Sequence, residues 1–210
     1  MVVLHGYALG LFLAAQVGPV TLLIVRSVLR GGQAIAVGLA MAAAVAGIDL
    51  AYAVVGLAGV GQLLNASSIR MWMGLVSAAI LVGIGTRTLW NGLRARSGFE
   101  TPDDVVLPSR AFLTAVAATA LNPLTIALWT VSFPAAAPAR ATTSVGAAAA
   151  LLVGVGLGTF TWYGGFSTAV ALVRKRIGRR LLTLVDVGSG TGLIGFGCLL
   201  GYRAVRDHHA

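Results

Sequence analysis

The chain has 210 residues: 58% are Ala, Val, Ile, Leu, Met, Phe, Trp, Tyr or Cys, 28 residues are Gly, and only 10% are charged. Fifteen Lys and Arg against six Asp and Glu, a net charge of +9, cannot cover a water-facing surface, where about 25% of residues are charged in an ordinary soluble domain. This excludes a typical soluble protein and a disordered chain. It leaves a polytopic membrane protein whose bases face an anionic leaflet rather than nucleic acid.

Residues 2–25 carry no formal charge and hold only His5 and Gln16 as strongly polar groups; Arg26, Arg30 and Gly31-Gly32 close this run. It lacks a basic n-region and is long enough to span, so it reads as a helix rather than a cleaved signal peptide. Residues 34–64 hold one charge, Asp49, and Arg70 follows in a short connection. Residues 71–90 are apolar up to Arg87, and 91–110 form the most polar stretch. A fourth run, 111–137, is interrupted by Asn122-Pro123 and Pro134; Arg140 lies beyond it. Residues 145–173 end in Arg174-Lys175-Arg176 and Arg179-Arg180, and 181–202 end in Arg203 and Arg206.

A helix needs about 20 apolar residues to cross the hydrocarbon core, and backbone groups in lipid must be satisfied within the segment. The chain is therefore expected to be an all-α membrane protein. Six transmembrane helices form two inverted three-helix repeats within a single domain, residues 1–210. Repeat one covers 1–90, the loop 91–110, and repeat two 111–206. The first, third and fifth loops hold Arg26 and Arg30; Arg94, Arg96 and Arg110; and five bases from Arg174 to Arg180. The other side holds Arg70, Arg140, Arg203 and Arg206, so the count is ten against four. Both termini are then outside.

Val17-Gly18-Pro19-Val20-Thr21-Leu22 matches Leu121-Asn122-Pro123-Leu124-Thr125-Ile126. Each places a helix breaker inside the first run of its half, with Thr two residues after the Pro. Proline removes a backbone donor and clashes with the carbonyl four residues back. Two breaks in corresponding positions of inverted halves point to a transporter binding site. This makes Gly18, Pro19, Thr21, Asn122, Pro123 and Thr125 candidate substrate-binding residues.

Asp49 is the one acid near the middle of a span. A charge there costs about 2.5–3.5 kcal/mol on insertion scales, which marks Asp49 as a candidate for proton coupling or for binding a substrate ammonium. Asp186 reads as an interfacial ion-pair partner near Arg179 and Arg180. Arg87 can snorkel, and Trp72, Trp90 and Tyr202 suit an interfacial belt. Trp129, Trp162 and Tyr163 lie deeper, where packing and a substrate path are both open. His5, His208 and His209 show no metal spacing, and lone Cys198 excludes a CxxC pair.

Val185 to Gly192 mimics a nucleotide-cofactor loop, but that motif needs a strand before it and an acid about 20 residues on. Only 18 residues follow Gly192. Gly188, Gly192 and Gly195, with Gly154 and Gly158, fit close helix packing better. No cofactor and no metal are expected.

Gly18-Pro19, Gly47-Ile48-Asp49, Asn122-Pro123 and Gly192-Leu193-Ile194-Gly195-Phe196-Gly197, in this order and over nearly the whole chain, resemble the LysE/RhtB-type amino-acid exporter family. The resemblance implies a bacterial inner-membrane exporter of amino acids or similar small zwitterions, coupled to the proton gradient. Its partners would be the cargo and the lipid bilayer, with a homodimer left open. Val17 stands where many relatives have a first Pro, and Leu124 where Lys is frequent. No acid follows Asn122-Pro123 in its helix, which favours a neutral cargo. The rival class is a membrane enzyme or scaffold. A membrane hydrolase needs a nucleophile and base at membrane depth, and the central positions offer one Asp and no His.

Overall fold

A computed structural model describes residues 1–16, 18–30, 32–58, 67–96, 107–138, 144–174 and 179–209. Val17, the centre of the polar loop, Arg140, and Lys175 and Arg176 lie outside the described residues. Those described are helical with short connections. In chain order they form α1 (Val2–Ala14), α2 (Pro19–Arg30), α3 (Ala34–Leu57), α4 (Ser67–Arg96), α5 (Pro108–Ala120) and α6 (Pro123–Ala127). A π-helical turn (Leu128–Ser132), α7 (Phe133–Ala136), α8 (Val145–Arg174) and α9 (Arg179–His209) follow.

Among the described residues, three stretches are long and apolar enough to cross a membrane: Ala34–Leu57, Val145–Arg174 and Thr183–Arg206. Two bent pairs qualify as broken spans, Val2–Ala14 with Pro19–Arg30 at 82° and Pro108–Ala120 with Thr125–Ala136 at 70°. This gives up to five, against the six expected. The difference lies in α4, whose apolar stretch is shorter, Leu75–Trp90. Arg70, Arg94 and Arg96 flank it and Arg87 falls inside it. Charge at its ends shortens the apolar part of a helix that is itself 30 residues long.

Packing follows small residues. α1 lies on α8 with backbones nearly touching: a Cβ on Gly6 would stand 2.1 Å from the Leu151 carbonyl oxygen, and one on Gly154 2.1 Å from that of Val3. Gly10 and Gly158 repeat the approach one turn on, the close helix contact that small residues four apart permit. α4 packs along α9. There the approach falls at Gly190 and Gly197, with Cβ positions 2.7 Å from Leu89 N and from a Val82 methyl. Among the described residues, a Cβ on Gly188 or Gly195 would meet nothing within 4 Å. This corrects the packing role expected of them: two residues turn the helix by about 200° and put them on its other side. Gly192 does face a neighbour, Leu22 of α2.

The apolar core has two parts. One joins Leu23, Ile24 and Val28 of α2, Met41 and Val45 of α3, Ala115 of α5 and Leu193 of α9. The other joins Ala53, Trp129, Phe133, Leu151 and Val155. The first gathers both halves of the chain around the two breaks.

Candidate functional site

Both breaks are helix N-termini of the same design. In the first, Gly18 precedes Pro19, which opens α2; Pro at this position loses no intrahelical bond and arrives with φ near the helical value. The Gly18 carbonyl receives the Leu22 N–H at 3.3 Å. The Gly18 N–H donates to Thr21 Oγ1 at 3.4 Å, and that hydroxyl donates to the Gln16 carbonyl at 3.5 Å. Thr21 thus reaches back across the break as the third residue of a capping box does. In the second, Asn122, a favoured cap residue, precedes Pro123, and its carbonyl receives the Ile126 N–H at 3.1 Å. The carbonyl of Ala120, at the end of α5, is satisfied from outside: the Tyr52 hydroxyl of α3 donates to it. At each break some of the freed backbone groups thus find partners, as lipid requires.

Gly18, Pro19, Thr21, Asp49, Asn122 and Thr125 line one cavity of about 90 Å³. On that measure a single water needs about 10–15 Å³, so the space suits a small solute or several waters. Pro123 begins α6, and its side chain lies outside the described ones. The walls also hold residues that sequence reading did not assign to a site: Leu13, Val45, Thr119, Leu128, Phe196 and Leu200. Trp129 and Tyr163, left open between packing and a path, are both buried and both on the wall. Trp162 is 38% exposed.

Asp49 is 3% exposed and accepts a hydrogen bond from the Trp129 side chain. Trp129 stands in the π-helical turn. Such a turn carries one more residue than an α turn and recurs at functional sites. Here it lies just after the second break, with the Phe133 ring 5.4 Å from Trp129. Sequence periodicity offers no signal for it.

Asp186 is buried, and its partners come from α2: Arg30 forms an ion pair with it, and Arg26 Nε stands 3.6 Å from its other oxygen. The expected ion pair exists, but with the first basic cluster. The side chains of Arg179 and Arg180 are outside the description.

Chemically, the cavity offers one carboxylate, the N-terminus of α2, hydroxyl and amide side chains, and apolar walls. Among its described lining residues there is no Lys or Arg. No match was found among curated proteins or among solved structures. The family model for LysE type translocators matches residues 11–204, and with it the chain belongs to that family of membrane exporters of amino acids or related compounds.

Proposed function

We propose that the protein exports neutral amino acids or similar small zwitterions across the bacterial inner membrane, in exchange for protons. The observation that carries this reading is that the two helix breaks and Asp49, far apart in sequence, share one cavity. The start of α2 favours the carboxylate end, because unpaired N–H groups and the helix dipole are both positive there. Asp49 takes the ammonium end when cargo is bound and a proton when it is not.

In this proposal the chain crosses the membrane six times as two inverted repeats, termini outside. The packing supports the symmetry. α1 lies on α8, and α5 with the π-helical turn lies on α3; α3 meets α8, and α4 meets α9. Exchanging the halves maps the first contact onto the second and each of the others onto itself. Alternating access is then a rocking of one repeat against the other.

The test loads expressing cells with a panel of dipeptides and measures release of amino acids. Selective release that stops when the proton gradient is collapsed is expected. No release from inserted protein would overturn the reading. Asp49→Asn should abolish proton dependence; unchanged proton-coupled export in that variant would remove Asp49 from the coupling role.

A further inference from the structure

Thr119 sits in the last turn of α5 and is 1% exposed. Its backbone carbonyl is used, accepting from Asn122 N–H at 3.2 Å. Its hydroxyl is not: among the described residues Oγ1 has no hydrogen-bond partner. A buried hydroxyl without a partner is unfavourable, and helical threonines ordinarily avoid this by donating to the carbonyl four residues back. Thr86, Thr88, Thr114, Thr130 and Thr168 all do so here, at 2.7–2.8 Å. Thr119 does not, although it has the same carbonyl within reach of its helix. Thr159 and Ser77 are also buried without a partner, but only Thr119 lies on the cavity wall.

We propose that Thr119 is a substrate-contacting residue whose hydroxyl donates to the carboxylate of the cargo. This rests on the amino-acid export reading above. Two other polar groups of the cavity are engaged, Thr21 within its own break and Asp49 with Trp129. Among the described lining residues, Thr119 is the one whose side-chain oxygen is buried without a partner, so it adds a donor to the start of α2. It also breaks the symmetry of the two halves. Aligning Gly18-Pro19 with Asn122-Pro123 puts Ala15 opposite Thr119, so only the second break has the hydroxyl and a bound zwitterion is held in one direction. The side chain then faces apolar walls such as Val45, Leu128 and Phe196.

The experiment uses the full chain in liposomes. Counterflow of radiolabelled L-valine, L-leucine and L-threonine is competed by each amino acid and by its carboxamide, which lacks the carboxylate. For the wild type the amino acid should compete better than its amide. Thr119→Val keeps the shape and removes the hydroxyl. It should weaken the amino acid on the order of ten- to a hundredfold, the usual range for a hydrogen bond to a charged group. The amide should be little affected, and Thr119→Ser should stay near wild type. Equal loss for acid and amide, or no loss for either, would overturn the proposal while leaving export intact. If Thr119→Val does not fold, a Thr119→Ser variant that loses acid-over-amide preference overturns it too. A wild-type protein that moves none of the three would sink both this inference and the neutral amino-acid cargo.

Discussion

Arg30 of α2 and Asp186 of α9 form an ion pair inside the protein, 156 residues apart in sequence. Arg26 stands on the same carboxylate from the turn before. Both arginines keep some exposure, 20–25%, while the Asp186 side chain is 4% exposed. Removing the acid leaves two guanidinium groups facing each other without it. Asp186→Asn should therefore cost at the low end of the range for breaking a buried pair, about 3 kcal/mol. Arg26→Gln should cost less, since Arg30 remains. Thermal unfolding in detergent reads both; equal melting temperatures for Asp186→Asn and wild type would refute the structural role.

Glycines in α9 should respond to substitution in opposite ways. Gly190→Ala places a methyl 2.7 Å from the Leu89 nitrogen and 2.9 Å from the Gly85 carbonyl oxygen, and overpacking of this kind costs about 1–3 kcal/mol. Gly188→Ala meets nothing within 4 Å among the described residues and gains the helix preference of Ala over Gly, up to about 1 kcal/mol. The melting temperatures should move down and up respectively; a shared direction would contradict the register of α9 on α4.

Trp129→Phe keeps a ring against Phe133 but removes the donor to Asp49. Loss of a hydrogen bond to a buried carboxyl should cost about 1–3 kcal/mol. Transport should fall while membrane insertion is retained. Activity and stability both equal to wild type would show that the indole N–H contributes nothing to Asp49.

The two breaks should differ in how much they depend on their side-chain partners. Tyr52→Phe strips the Ala120 carbonyl of its donor, and in the membrane interior this should cost about 1–3 kcal/mol. Thr21→Val removes two bonds of 3.4 and 3.5 Å, long enough to be weak, and should cost under about 1 kcal/mol. The ranking is checked by the two unfolding temperatures; a larger loss for Thr21→Val would reverse it.

The helical class, the two breaks and Asp49 were legible because each has a local cause. Long apolar runs must satisfy their backbones internally, Pro marks a break wherever it falls, and a mid-span acid stands out against 58% apolar composition. What stayed hidden depends on register or distance. Gly188 and Gly195 are seven apart, and so are Gly190 and Gly197; helical period alone cannot say which pair meets α4. Asp186 has bases close by in sequence, yet the pairing seen is with another helix. The π-helical turn shifts Trp129 out of α-helical phase, so its reach to Asp49 has no periodic signature. Thr119 is one threonine among many until its missing partner is seen in the fold.

The seam of Gly6 and Gly10 against Gly154 and Gly158 has a mechanical consequence. With backbones this close, sliding α1 along α8 brings backbone atoms into collision at each of these glycines. α2, only a few residues later, touches α8 too but is also fastened to α9 through Arg30 and Asp186, and to α3 through the shared core. The first bent pair is thus moored at its two ends to different parts of the molecule. Any displacement of α8 relative to α9 would therefore pull on two parts of the same cavity wall, Ala14 and Pro19, in different directions.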